Sequence, residues 1–449
     1  MVGIKGVGMT ALAEVLLKMG KKVSGSDVAK TFFTDRVIKY LGIETQTFAK
    51  ENISKKIDLI VYSPAYSVFN NEELAAASAK NIPIISYPEA LGALFRQSRG
   101  VAVCGSHGKT TTTAMVGLVA KQGNLDPTVI VGTQVPQFDN KNALVGASDL
   151  LIAETCEYRE HFLNYQPQEV ILTNIDYDHP DFFKTPQSYF EAFRKFIAQL
   201  PKDGILYACW EDEQVRKIIK ETAKSKKVIS YGLKKAADFQ AKNIHYGEGK
   251  ILFEAYRNGE FLDVFELQVP GKHNALNALA VIAWGWQHGI PTQKIKETLG
   301  SFVGTVRRFE RKGEKNGAIV IDDYGHHPTE IEATLRAAKK FYPLRKIWCV
   351  FQPHTFSRTE ALFQNFVSCF KAADVVIIND IFTSARERTG RINGRDLADG
   401  VRQYNPETYY IAGIDDTVRF LQERLGKNDL LITMGAGHGD KVAEGVLEG

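Results

Sequence analysis

Short apolar runs closed by glycine or polar residues alternate, almost from end to end, with stretches in which apolar side chains recur at helical spacing. Met1-Val2-Gly3-Ile4 reads as a strand that enters a glycine-rich turn at once, so part of that first strand is expected to lie outside this form of the chain. A helix follows from Met9 to Met19 with Ala11, Leu12, Val15 and Leu16 on one face. Further strands are predicted over 22–25, closing at Ser26-Asp27, and over 58–62. A second unit opens near Gly100: a strand over 101–104, a glycine loop, and a helix from Lys109 to about Gln122. Strands over 149–153, 169–173 and 204–207 continue it. Residues 226–269 read as shorter alternating strands, which predicts a mixed sheet there, before a long helix from Asn274 to Gln287. A third unit starts around 311–316, with strands over 318–322, 347–351, 375–378 and 430–433. Strands alternating with helices indicate parallel, helix-covered sheets. The expectation is three α/β domains in series, 1–99, 100–310 and 311–449.

Composition narrows the class. Of 449 residues, 44% are apolar and 24% charged, the balance of a globular protein and not of a disordered or coiled-coil one. The net charge of +4 is too small to argue for nucleic acid as a partner. Cys104, Cys156, Cys209, Cys349 and Cys369 are dispersed without a CxxC spacing, which speaks for a reducing compartment. No apolar run approaches the ~20 residues of a membrane helix. A cytoplasmic protein without a membrane partner is expected.

The strongest chemical signal is Gly105-Ser106-His107-Gly108-Lys109-Thr110-Thr111 between a strand and a helix. Backbone N–H groups of such a loop cradle phosphate oxygens, the lysine balances their charge, and the threonine hydroxyl can ligate Mg²⁺. The general phosphate-loop spacing wants a glycine where Val103 stands. Gly3-Ile4-Lys5-Gly6-Val7-Gly8 with Asp27 is a weaker dinucleotide-type signal, because Lys5 replaces the middle glycine. Glu154 ends one strand and Asn174-Ile175-Asp176-Tyr177-Asp178-His179 the next; as neighbours beside the loop they would suit a Mg²⁺ site. Asp322-Asp323-Tyr324-Gly325-His326-His327-Pro328 and Gln352-Pro353-His354-Thr355-Phe356-Ser357-Arg358 end two strands of the third unit. The histidine pair has no further ligands at zinc spacing, whereas His354 and Arg358 suit a carboxylate or phosphate. Arg307 and Arg308 precede the third unit and could reach a nucleotide, or could be a solvated basic linker.

These segments, with Gly271-Lys272-His273-Asn274 and Val306-Arg307-Arg308-Phe309-Glu310, appear in an order that resembles the Mur ligase family over essentially the whole chain. The shortened phosphate loop is that family's own form. The resemblance implies an N-terminal Rossmann-like parallel sheet holding UDP, a central P-loop ATPase-type mixed sheet, and a C-terminal Rossmann-like domain closing over ATP and an amino acid. It implies the substrates UDP-N-acetylmuramate and L-alanine, with ATP and Mg²⁺: the lactyl carboxylate becomes an acyl phosphate, which the amine then attacks. Carried over by position, Gly105 through Thr111 hold the phosphates, Lys109 foremost, and Thr110, Glu154 and His179 hold Mg²⁺. Asn274, Arg307 or Arg308, and Asp322 contact ATP. Tyr324, His326, His354 and Arg358 line the amino-acid site, with Arg358 on its carboxylate. Gly6, Asp27 and Ser63 lie along UDP. A monomer or weak homodimer is expected.

The chain also departs from the pattern. Glu154-Thr155-Cys156-Glu157 differs from the commoner acidic segment, His438 stands where an aspartate is usual, and Lys5 replaces a glycine. Several relatives carry a carbamylated lysine near Arg194 and Lys195; no carbamate is expected here. Rival readings are a recycling ligase that attaches L-Ala-γ-D-Glu-diaminopimelate, a nicotinamide-dependent oxidoreductase built on the first glycine loop, and a non-enzymatic ATP-dependent regulator.

Overall fold

In the first sheet a single residue joins two strand pairs. Gly25–Asp27 runs parallel to Thr45–Thr47, and Ile60–Tyr62 parallel to Ile84–Ser86. Val2 bridges Ser26 on one side and Tyr62 on the other, which makes the pairs one parallel sheet. The computed structural model describes residues 1–222, 224–234, 236–247, 249–383 and 390–448. The strand expected over 22–25 begins only at Gly25; Lys21 and Lys22 are exposed, while Ser26 and Asp27 are buried. The helix Val7–Lys18 buries Met9, Leu12 and Val15 in a core shared with Leu91 and Phe95 and, from the central region, Phe162 and Leu172. Asn142 Nδ2 donates to Val7 O at 2.7 Å, which ties the start of that helix to the central sheet.

The central sheet has ten strands. Its loop-bearing strand, Arg99–Cys104, lies between Leu150–Glu154 and Glu169–Leu172, parallel to both. The two strand ends expected to be neighbours are therefore separated by the strand that feeds the loop. Ile205–Cys209 and Lys227–Gly232 extend the parallel part, and Phe239–Gly247, Lys250–Arg257 and Glu260–Leu267 form an antiparallel run at the edge, so the sheet is mixed. Helix Lys109–Gln122 is buried on nearly all sides under Lys272–Gln287 and Thr292–Gly300.

The third sheet runs Glu310–Lys315, Ala318–Asp323, Asp429–Met434, Lys346–Phe351, Val375–Ile378, Thr408–Tyr410. Only the first strand is antiparallel. That strand, Glu-Arg-Lys-Gly-Glu-Lys, was not foreseen: charged residues on a sheet edge carry no apolar alternation, and they also discourage edge-to-edge pairing. Among the described residues no helix is long and apolar enough to cross a membrane.

Candidate functional site

Gly108 caps helix Lys109–Gln122 at φ 82°, where a Cβ would stand 2.7 Å from Asn277 Oδ1, so both conformation and space require glycine. The loop is stitched to the end of the neighbouring strand. His107 N donates to Asn174 Oδ1 (2.9 Å), Thr173 Oγ1 and Asn174 Nδ2 donate to His107 O (2.6 and 3.0 Å), and Ser106 Oγ donates to Asp176 O (2.7 Å). Lys109 Nζ folds back on the carbonyls of Gly105 and Ser106 and pairs with Glu157 Oε2 at 3.1 Å. Burial opposes the charge on both members of this pair. The Glu157 carboxylate more than offsets it and keeps Lys109 protonated, while Lys109 and then His179 bring Glu157 down to about 2.

Thr110 Oγ1 donates to Glu154 Oε1 at 3.0 Å, and Gly132 N to Glu154 Oε2 at 2.7 Å. His179 sits instead against Glu157 (3.6 Å) and Asp178 (3.7 Å). The three residues expected around one metal thus divide into an oxygen pair, Thr110 and Glu154, and a histidine reached through Glu157. Oxygen donors beside a phosphate loop fit a hard cation such as Mg²⁺. Arg194 pairs with Glu191, and Lys195 with Glu160, on the exposed side of helix Pro186–Ala198.

A cavity of about 480 Å³ opens between the loop and helix Pro328–Phe341 of the third region. His107, Gly108, Thr110 and Asn274 face it from the central side, and Arg308, Asp323 and Glu330 from the other. Adjacent strand residues point to opposite faces, and this sorts the two aspartates. Asp323 faces the cavity. Asp322 turns away, accepting from Arg307 Nε (2.8 Å) and Thr433 Oγ1 (2.8 Å). Arg307 also donates to Gly435 O at 2.8 Å, so it braces the third region while Arg308 lines the cavity. Burial lifts Asp323 to about 6 in spite of Arg308 and the Gly325 N–H.

The third region's other candidates gather beside Asp178 and His179. Tyr324 meets His326 edge-on at 5.4 Å, and His326 meets His354 at 6.3 Å. Arg358 is 5% exposed, and its fork grips Asp178 across the domain seam (Nε to Oδ1 2.8 Å, Nη2 to Oδ2 3.3 Å). Burial disfavours both charges, but each outweighs this for the other, and Asp178 stays well below the ordinary carboxylate range. Burial first, and Arg358 next, push His326 down to about 3, so its imidazole is neutral.

In the first region, Gly6, Asp27 and Ser63 lie on the carboxyl edge of the sheet. Asp27 accepts from Lys5 N and Val28 N, both at 2.7 Å. The Lys5 ammonium is taken by Val28 O, Lys30 O and Asp35.

Four residues that matter here were passed over as individual candidates: Glu157, Asp178, Asp323 and Glu330. Glu330 had a local signal, since it closes a capping box with His327 at the start of helix Pro328–Phe341. The others depend on which strands are neighbours and on which way a strand residue faces.

Fold and cavity describe a three-part α/β protein whose phosphate-type loop borders a cavity where its central and third regions meet. The chain belongs to the Mur ligase family: models of that family match residues 1–99 (Mur ligase family, catalytic domain), 103–285 (Mur ligase middle domain) and 307–437 (Mur ligase, glutamate ligase domain). It is similar to UDP-N-acetylmuramate–L-alanine ligase of Desulfitobacterium hafniense (strain Y51), at 45% identity over 448 residues covering 99% of this chain and 98% of the relative. The protein of that name from Clostridium kluyveri (strain ATCC 8527) is 43% identical, over 99% and 96% of the two chains. A crystal structure of UDP-N-acetylmuramate-alanine ligase from Thermotoga maritima superposes with a TM-score of 0.84 at 27% identity, covering 100% of this chain and 97% of that one. A murein peptide ligase from Psychrobacter arcticus shares the fold, with a TM-score of 0.73 at 21% identity over 100% and 97%. The chain is an ATP-dependent ligase.

Proposed function

We infer that the enzyme joins L-alanine to the lactyl carboxylate of UDP-N-acetylmuramate, with ATP activating the carboxylate, in peptidoglycan precursor synthesis. The observation that carries this reading is one seam that holds both halves of the chemistry. The phosphate loop lies on one side, and the cluster of Tyr324, His326, His354 and Arg358 meets Asp178 and His179 on the other.

Lys109 supplies a fixed positive charge to the transferring phosphoryl group once it leaves Glu157. Thr110 and Glu154 are the residues that would hold Mg²⁺, which supplies charge neutralisation at the phosphate oxygens. Asn274 and Arg308 hold the nucleotide in the cavity. His326, being neutral, adds no charge against the incoming amine, and Arg358 presents a fork suited to the amino acid's carboxylate. A closed seam keeps water from the acyl phosphate. Gly6, Asp27 and Ser63 at the first sheet's edge serve the UDP moiety. We place the domain boundaries at 1–99, 100–310 and 311–449, and the enzyme in the cytoplasm as a monomer or weak homodimer.

ADP release measured with UDP-N-acetylmuramate and a panel of acceptors tests the reading. L-alanine should lead, and glycine should be disfavoured by roughly 10- to 200-fold, the worth of a missing methyl in a closed pocket. L-Ala-γ-D-Glu-diaminopimelate outcompeting L-alanine in kcat/KM would overturn it in favour of the recycling ligase.

A further inference from the structure

We propose that His107, Asp176 and His327 form a site for a borderline divalent transition cation, with Zn²⁺ as its best occupant, across the seam between phosphate loop and third domain. Among the described residues this is the one group of three or more His, Cys, Asp or Glu side chains whose ligand atoms converge, all within 4.8 Å of one another. His107 Nε2 stands 2.9 Å from Asp176 Oδ2, and His327 Nδ1 stands 3.5 Å from the same oxygen. Ligand atoms around a tetrahedral zinc with bonds of about 2.0–2.1 Å lie roughly 3.3 Å apart, so these separations bracket what the ion requires.

The surroundings are also those of a metal centre. A ligating imidazole presents one nitrogen to the ion and commits the other to a carboxylate or carbonyl. His107 commits Nδ1 to Glu330 Oε1 (3.1 Å), and His327 commits Nε2 to Tyr177 O (3.2 Å). Glu330 is itself fixed by the backbone N–H groups of His326 (3.0 Å) and His327 (3.3 Å). Among the described residues, the other contact made to His327 Nδ1 is from Thr329 N, long at 3.4 Å. Asp176 and His107 face the cavity, which leaves the fourth coordination position open to water or a phosphate oxygen.

Two nitrogen donors and one oxygen select against Mg²⁺, which prefers six oxygens, and for Zn²⁺, Co²⁺ or Ni²⁺. The site is therefore separate from the oxygen pair Thr110 and Glu154. Binding displaces the proton shared between His107 and Asp176 to solvent and replaces it with the ion. One ligand comes from the phosphate loop, one from the end of a central strand, and one from the start of a third-domain helix. An ion held there pins the third domain to the loop, and slows any turnover that requires the seam to open.

The test titrates Zn²⁺ into metal-freed, full-length protein at saturating Mg²⁺ against a chromophoric chelator, with melting curves alongside. The wild type should bind one tight equivalent and melt higher with Zn²⁺. In His327→Asn, which keeps a side-chain oxygen to cap the helix, and in Asp176→Asn, Zn²⁺ should bind at least ~10-fold more weakly and leave the melt unmoved. Glu330→Gln should weaken it by about 10-fold or more, through its hold on the His107 ring and on the backbone of His327. Absence of a tight equivalent in the wild type, or undiminished binding in His327→Asn and Asp176→Asn, overturns the site. So does a loss of binding on Glu154→Gln when His327→Asn leaves it intact.

Discussion

Two of the glycine-rich turns that connect a strand to a helix in this chain have different surroundings. Around Gly105–Lys109 the backbone lies in a conformation and a space that only glycine allows, and the loop borders a cavity. Around Gly3–Gly8 the conformation needs glycine too, at Gly3 (φ 78°), but the space is taken by tyrosines: a Cβ at Gly3 would stand 2.8 Å from the Tyr66 ring, and one at Gly8 2.6 Å from Tyr87. The lysines differ in the same way. Lys109 is held by a buried carboxylate it can leave for a more highly charged partner, whereas Lys5 is tied sideways to two carbonyls and Asp35. A glycine-rich motif therefore marks a strand–helix turn, and its neighbours decide whether a ligand can approach.

The sharpest way to break this contrast is Lys109→Ala, which should lower turnover by at least ~10²-fold. It also leaves Glu157 buried without its cation, a loss on the order of 3–5 kcal/mol. Lys109→Ala with Glu157→Gln should regain the melting temperature and none of the activity. If the double variant recovers turnover, Lys109 serves the fold and not the phosphates.

The seam comes next. Arg358→Lys keeps the charge and loses the fork, so the KM for L-alanine should rise by about 10- to 100-fold while that for ATP changes little. Asp178→Asn should reproduce part of the effect, because Asp178 aims the guanidinium. An unchanged L-alanine KM in Arg358→Lys would make the Arg358–Asp178 pair a clasp between domains only.

The phosphate loop was legible in the sequence because its chemistry is local: seven contiguous residues record the turn, the cation and the hydroxyl. Three domains of alternating strands and helices were legible for a similar reason, since buried parallel strands leave uninterrupted apolar runs. The Asp178–Arg358 pair joins residues on separate domains, and Glu157 meets His179 only because their strands flank the loop-bearing one. No spacing along the chain records either fact. Asp322 came with the family resemblance, and nothing along the chain says which of two adjacent strand residues will face a cavity; Asp323 does. The edge strand Glu310–Lys315 went unseen because its residues serve the sheet's edge and not its core.

A smaller effect is expected at the first loop. Lys5→Ala removes a staple, so KM for UDP-N-acetylmuramate should shift by less than ~10-fold, with ATP kinetics unchanged. A larger rise would make Lys5 a ligand contact, and the two glycine loops would then be alike.

The least effect on activity, and the finest probe of the cavity, concerns protonation at Asp323. Its carboxyl accepts from Phe309 N (2.8 Å) and Gly325 N (2.7 Å), yet burial lifts it from the ordinary 3.8 to about 6. Between about pH 4 and 6 the folded chain therefore holds a proton that the unfolded chain has released. Where the folded state binds more protons, stability falls as pH rises, so ionised Asp323 costs stability on the order of 3 kcal/mol above that window. Asp323→Asn removes the charge, and sacrifices one of the two acceptor oxygens at a cost that does not vary with pH. Stability measured by denaturant at a series of pH values should show the variant gaining on the wild type from pH 4 to 6, with a constant difference outside that range. A difference constant throughout would mean that Arg308 and the two N–H groups just offset burial and that Asp323 ionises like an exposed carboxylate. The cavity would then be indifferent to charge on its third-domain wall, unlike the seat of Glu157 beside the loop, where Lys109 and His179 overcome burial and bring the carboxyl down to about 2.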